Sequence, residues 1–381
     1  MVDVRHGHGL LSALEPTGNA NGAFLDTDGG GRQATDGGGR PRGQGRGTLV
    51  SEALRRSQAG IGAGVGPVPP FRAIARPRTK TQIPRRGMVH WAPWVRIELA
   101  RSRLLSRGLF EFDEAGKTLS WVHRGSTGQK SLTVASISAP CTLAVLQQQA
   151  RWVLLRARLR EDRLPEIHVQ VNDLWPFWEA LIGLDITKAP HTMELLHVTL
   201  QFASAVVLQF KHALGVPRAS EVLSSVMPIV EVPGHGALPS GHANAAAALS
   251  TVLGLLLPDG ASQSGALRRL AFRVAANREV AGLHYPMDSA AGRLLGETLG
   301  AYVASAALGR DTAMKGARFD GLLIDRTPAL GDALAKQSGD EALTNQPCTT
   351  APSAATFGEP DEVVAWLWKA ASDELAKLAS S

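Results

Sequence analysis

The chain is poor in cysteine, aromatic residues and charge for its length. Its 381 residues include two cysteines, 5% aromatic residues and 19% charged residues. Cys141 and Cys348 lie far apart, and no cysteine or histidine stands beside either at zinc-ligand spacing, which argues against a disulfide framework or a structural metal. A hydrophobic content of 44% is still enough to bury one large core or two small ones, so the composition predicts a globular protein.

The sequence also lacks a long apolar run. The longest, "ANAAAALSTVLGLLLP", is shorter than the roughly 20 residues that span a bilayer. The first residues, "MVDVRHGHGLLSALEPTG", contain no apolar core of an export signal. We therefore expect a soluble protein without an integral membrane span, located in the cytoplasm, while a periplasmic location stays open.

The net charge of +6 is concentrated near the N-terminus. Residues 1–88 hold 13 Lys and Arg against 6 Asp and Glu, which gives +7 and leaves −1 for the remainder. Residues 1–87 also contain 18 of the 40 glycines. This composition predicts a disordered Gly/Arg-rich arm. The arm lacks the interleaved aromatics of single-strand nucleic-acid binders, so the sequence does not favour a nucleic-acid partner.

Hydrophobic periodicity predicts an all-α fold with a short mixed N-terminal segment. After a hairpin in "FEFDEAGKTLSWVHRG", we expect a helical-bundle catalytic domain over 88–330, a linker over 331–358 and an amphipathic C-terminal helix over 359–381. Proline and glycine punctuate the bundle, and Pro165 is among the expected helix breakers. The helices predicted within it cover roughly 141–161, 174–183, 191–214, 241–257, 262–281 and 286–308.

Three short segments carry the residues with chemical potential: "KHALGVPR", "PSGH" and "REVAGLHYPMD". In the second, Ser240 stands where a helix would be capped. The unpaired N–H groups and the dipole of a helix beginning at Gly241 would favour an anion there. Serine at a helix start is also ordinary capping, so this segment is informative only if the others converge on it.

The other two segments supply cations and a pair made of an imidazole and a carboxylate. His284 and Asp288 are four residues apart, a spacing that puts both on one side of a helix. Asp288 could then accept the Nδ1 proton of His284 and leave Nε2 with its lone pair. Lys211, Arg218 and Arg278 add three positive charges. We expect such a set to bind a compact, multiply charged tetrahedral oxyanion.

The order K-x6-R, PSGH, R-x5-H-x3-D resembles the signature shared by vanadium-dependent haloperoxidases and the type 2 phosphatidic acid phosphatase superfamily, which includes bacterial acid phosphatases. The resemblance covers about residues 170–305 and implies a helical bundle of the haloperoxidase/acid phosphatase type. The chain departs from the family pattern at Ala219, where a proline is usual, and at Asn277, where a serine is usual.

For a haloperoxidase, the resemblance implies that His284 Nε2 binds the vanadium of vanadate. His242 would act as acid–base group, Lys211 would polarise bound hydrogen peroxide, and Asp288 would orient His284. His235 stands where bromide-oxidising members have a histidine, which favours bromide or iodide over chloride. The implied holders of the vanadate oxygens are Lys211, Arg218, Ser240, the Gly241 N–H and Arg278.

For a phosphatase, the same pocket would hold a phosphate ester. His284 would become a phosphohistidine, and His242 would protonate the departing alcohol. A non-catalytic phosphate-binding protein is a third reading, but simple anion binding does not need an oriented imidazole. The absence of spans and of an export signal, together with His235, favours the haloperoxidase. Vanadate or phosphate as occupant, the halide and a homo-oligomeric state stay open.

Overall fold

The computed structural model describes residues 87–380, with gaps at 125–130, 141, 185, 258–259, 310–314, 338–346 and 353–357. The predicted arm over 1–87 lies outside the described residues except for Gly87, and so does Cys141. The remaining predictions fall wholly or largely within the described part.

Helices dominate the described chain. They are α1 (Pro93–Ser106), α2 (Leu143–Arg156), α3 (Arg160–Asn172), α4 (Trp175–Ile182), α5 (Pro190–Leu214), α6 (Ala219–Val222), α7 (Gly241–Leu256), α8 (Gly260–Val280), α9 (Pro286–Leu308), α10 (Gly321–Arg326), α11 (Ala329–Lys336) and α12 (Glu362–Ala379). The strands are β1 (Gly108–Asp113), β2 (Thr118–His123), β3 (Leu132–Ser138), β4 (Lys315–Asp320) and β5 (Cys348–Pro352).

The fold is α-rich rather than all-α, because five strands form one mixed sheet in the order β1-β2-β3-β4-β5. The predicted hairpin is confirmed as β1 and β2, which pair antiparallel. β4 runs parallel to β3 and pairs antiparallel with β5, which lies inside the predicted linker. Phe319 and Cys348 face each other across this last pair and are both 0% exposed. The burial of these two side chains stabilises β4 and β5. Both strands are too short for an alternating pattern to be recognised in the sequence.

The predicted helices between 174 and 308 are confirmed within about two residues at each end. Two further helices contradict the sequence analysis. α1 was not predicted. α3 contains Pro165 in its interior, although this proline was expected to prevent a helix there. Ile167 and Gln170 on α3 are both 0% exposed, and α3 packs against α8. This tertiary packing outweighs the backbone hydrogen bond that the proline removes.

The central packing is the contact of α7 with α9, and α7 also packs against α8 and α5. Gly292, Gly296 and Gly300 recur every four residues on α9 and so share one face. A Cβ at Gly296 would lie 2.1 Å from the carbonyl oxygen of Asn244 on α7. The glycines therefore let the two backbones approach closely, which brings the first turns of α7 and α9 side by side.

The C-terminal helix α12 packs against α5 and α9. Val364, Leu367 and Leu375 on the apolar face of this amphipathic helix are buried. The Glu374 carboxylate accepts hydrogen bonds from the backbone N–H groups of His191 and Thr192 at 3.0 and 2.8 Å. It thereby satisfies free N–H groups at the start of α5.

One stretch of the described chain, Pro190–Val222, is apolar and long enough to cross a membrane by length and composition. Of its most apolar window, 67% is buried inside the molecule, and the central helix of a folded core passes the same test. The cellular location stays a prediction.

Substituting Gly296→Ala should force α7 and α9 apart. We expect the free energy of unfolding to fall by about 1–3 kcal/mol or more, because the new methyl group overlaps a backbone oxygen. Gly254→Ala is the matched control, since its Cβ would meet nothing closer than Leu267 Cδ1 at 3.7 Å. It should raise stability by about 0.5–1 kcal/mol. Urea unfolding measures both, and equal effects would contradict this account of the α7–α9 contact.

Candidate active site

His284 and Asp288 form a buried pair at the start of α9. His284 Nδ1 lies 3.0 Å from Asp288 Oδ2, and both side chains are 0% exposed. The predicted contact is present, but not through helical spacing, because His284 precedes the helix that begins at Pro286. Asp288 also accepts the backbone N–H of Tyr285 at 3.0 Å. The helix start itself therefore fixes the carboxylate that holds the imidazole.

Arg218 contacts the other ring nitrogen of His284. Its Nη1 lies 3.1 Å from His284 Nε2 and 3.1 Å from the carbonyl oxygen of Leu283. A guanidinium only donates, so His284 Nε2 must accept and the ring proton must reside on Nδ1, facing Asp288. The geometry thus defines the tautomer: a neutral imidazole whose Nε2 lone pair faces a cation.

The loop before α7 joins Arg218 to Lys211. His235 is half-buried, and its Nδ1 lies 3.2 Å from Arg218 Nη2 while its carbonyl oxygen accepts from Arg218 Nε at 3.3 Å. Lys211, at the end of α5, donates to the carbonyl oxygens of Gly236 and Ala237, both at 3.2 Å. Three consecutive residues of one loop therefore hold two of the predicted cations.

The N-terminus of α7 has the predicted form. Ser240 is the N-cap residue, and its Oγ accepts from the Ala243 N–H at 3.4 Å. Its own N–H donates to the main-chain oxygen of Asp288 at 3.0 Å, which ties α7 to α9. Gly241 begins the helix, so its N–H belongs to the first turn, where backbone donors have no partner within the helix.

His242 and Arg278 meet at a residue that the sequence analysis did not select, Gln170 on α3. His242 Nε2 lies 2.9 Å from the carbonyl oxygen of Gln170, so this nitrogen carries a proton. Arg278 Nη2 donates to the carbonyl oxygen of Ile167 at 3.1 Å and to Gln170 Oε1 at 3.3 Å. No signal in the sequence identified Gln170, because its role depends on a helix that Pro165 appeared to break.

The structure thus gathers the predicted groups into two contact sets. His284, Asp288, Arg218, His235 and Lys211 form one, and His242 and Arg278 form the other with Gln170. Main-chain hydrogen bonds link the sets: Ser240 N to Asp288 O, and Leu283 N to Arg278 O, both 3.0 Å.

The site is buried and positively charged. Lys211, Arg218 and Arg278 are 1%, 2% and 0% exposed and contribute three positive charges, whereas Asp288 contributes one negative charge. Burial raises the pKa of the adjacent Tyr285 hydroxyl, and the charge of Asp288 raises it further, so Tyr285 remains a neutral phenol. An excess of buried positive charge is costly unless an anion accompanies it.

Burial also raises the pKa of Glu279, the residue after Arg278. Its carboxylate lies 2.9 Å from Arg156 Nε. The charge of Arg156 opposes the rise in pKa but does not cancel it. A surface pocket of about 260 Å³ lies near Arg156, but it contains none of the predicted site residues. Its lining residues are Trp152, Leu155, Arg156, Arg158, Leu159 and Ala335.

Residues 193–310 match the family model described as the PAP2 superfamily. This segment belongs to that superfamily. The resemblance read from the three motifs is confirmed at this level, which covers both phosphatases and haloperoxidases. No curated protein matches the chain. The predicted site residues, from Lys211 to Asp288, lie inside the matched segment, whereas α3 lies outside it.

Replacing Asp288→Asn should weaken the hold on the His284 ring. The amide is uncharged, and its NH2 group cannot accept the hydrogen bonds that the carboxylate accepts from His284 Nδ1 and Tyr285 N. We expect orthovanadate or phosphate to bind about 10- to 100-fold more weakly, the usual effect of losing a ligand's hydrogen-bonded support. Isothermal titration calorimetry on the folded variant measures this. Unchanged affinity would show that the pair does not orient His284 for binding.

Proposed function

We propose that this chain is a vanadate-dependent haloperoxidase that oxidises bromide or iodide with hydrogen peroxide. The observation that carries the proposal is the row Arg218–His284–Asp288, in which His284 presents an unprotonated Nε2 beside a buried guanidinium. An unprotonated nitrogen oriented by a carboxylate is what a vanadium ligand needs.

The residues present suit vanadate. Among the described residues, no group of three or more His, Cys, Asp and Glu side chains could hold a metal cation. The donor set is instead cationic, with hydrogen-bond donors at a helix N-terminus, and this chemistry matches an oxyanion. Lys211, Arg218, Ser240, the Gly241 N–H and Arg278 would hold the oxygens, and His284 the vanadium. Bound vanadate would activate hydrogen peroxide as an electrophile toward halide.

The protein's own groups then bind and move protons. The overall reaction converts halide, hydrogen peroxide and one proton into hypohalous acid and water. The Nε2–H of His242 donates to the main-chain oxygen of Gln170, so Nδ1 is the ring nitrogen that would carry a proton to the departing oxygen and recover one from solvent. Lys211 would place its positive charge beside a peroxide oxygen and draw electron density from it.

Two observations favour the haloperoxidase. Lys211, Arg218, Arg278 and His284 are at most 2% exposed, a burial that suits hydrogen peroxide and halide better than a bulky ester. The His235 ring lies against Arg218. This contact supports the resemblance to bromide-oxidising members, which have a histidine at this place in the sequence.

The second candidate is a phosphatase, and the same His284–Asp288 contact favours it, because an oriented neutral imidazole is also a nucleophile. His284 Nε2 would form a bond to phosphorus as the ester P–O bond breaks. The alcohol would leave with the proton of His242. Water would then hydrolyse the phosphohistidine and release phosphate.

Two assays on the purified protein separate the candidates. Bromination of an organic acceptor that requires peroxide and rises with added vanadate supports the haloperoxidase. Hydrolysis of a chromogenic phosphate ester that vanadate suppresses supports the phosphatase. His284→Ala should abolish either activity, and a surviving rate would refute its role in both.

His242→Asn should slow turnover without weakening anion binding. We expect kcat to fall about 10²- to 10⁴-fold, because a general acid is lost, while the Kd for orthovanadate changes little. Steady-state kinetics in whichever assay shows activity, paired with calorimetry, measures the two quantities. A loss of affinity equal to the loss of kcat would make His242 a binding residue instead.

A further inference from the structure

Gln170 lies on α3, outside the segment that matches the family model, and its side chain is 0% exposed. Its carbonyl oxygen accepts the Nε2 proton of His242, and its side-chain Oε1 lies 3.3 Å from Arg278 Nη2. One residue thus contacts both the proposed acid–base group and one of the three buried cations.

The orientation of the Gln170 amide is defined by its neighbours. Oε1 accepts from Asn277 Nδ2 at 3.0 Å as well as from Arg278 Nη2. The Asn277 amide nitrogen also donates to Glu166 Oε2 at 3.0 Å, so the Asn277 amide cannot be reversed without losing that bond. Since both neighbours of this Gln170 atom are donors, it must be the oxygen.

The other end of the amide is therefore a donor. Gln170 Nε2 is buried and has no hydrogen-bond partner among the residues that the structure describes. Leaving a buried N–H group without an acceptor is destabilising, and native structures rarely do so without a reason. This donor is bonded to the same carbon as the oxygen that Arg278 contacts, so it lies beside Arg278.

We propose that Gln170 Nε2 donates a hydrogen bond to an oxygen of the anion bound at the site, next to the oxygen held by Arg278. This inference rests on the oxyanion site of the proposed function and adds a binding group to it. A neutral N–H donor suits an unprotonated anion oxygen and gives α3 a direct contact with the ligand. The chemistry is the same for vanadate and for a phosphoryl group.

The test is the side-chain amide signal of Gln170 in ¹⁵N-labelled protein, assigned by its loss in Gln170→Met. On addition of orthovanadate, and separately of inorganic phosphate, we expect one Nε2 proton to shift downfield and to exchange more slowly with solvent. Gln149 is an internal control, because its Nε2 is also buried and without a partner among the described residues, whereas its Oε1 accepts from Met287 N. Its signal should move much less.

Calorimetry gives a second measurement. Gln170→Met should weaken orthovanadate binding about 10- to 100-fold, the usual effect of losing a hydrogen bond to a charged group. If wild-type protein binds the anion but the Gln170 signal stays in place, the inference is overturned and the proposed function stands. If wild-type protein binds neither anion, both fail.

Discussion

The close approach of α7 and α9 is the constraint on which the candidate site depends. Three glycines on α9 allow backbone contact with α7, and the hydrogen bond from Ser240 N to Asp288 O joins the two first turns. One first turn presents helix N–H groups, and the other fixes the carboxylate that orients His284. Because two rigid helices set this distance, the site is built before any ligand arrives, and binding does not have to order it.

Burying three cations in one region has an electrostatic consequence. Lys211, Arg218 and Arg278 each donate to main-chain carbonyl oxygens, whose dipoles reduce but do not cancel the positive charge. The carbonyls of the 235–237 loop and of α3 hold the side chains in place and leave the net charge available. An oxyanion placed there would be attracted more strongly than in water, because the dielectric constant of the protein interior is low.

The sequence was informative where chemistry is carried by short motifs and poorly informative where it depends on distant packing. Ser240 was predicted as an N-cap because a serine before an alanine-rich run has a local signature. The His284–Asp288 contact was predicted for the wrong geometric reason, since His284 precedes α9. α3 was missed because Pro165 is a local breaker, whereas burial of Ile167 against α8 is a long-range effect. β4 and β5 are stabilised by pairing with each other and with β3 and by packing against α9, so no local pattern marks them.

The missed helix adds contacts to the candidate site that the three motifs do not contain. The predicted site residues lie within residues 193–310, so the matched segment contains all of them. α3 contributes acceptors for His242 and Arg278 from outside it, and the acceptor for His242 is a backbone oxygen. No side-chain substitution removes a backbone oxygen, and only a shift of α3 can. The proton on His242 Nε2 is therefore coupled to the position of α3, a helix that the three motifs do not include.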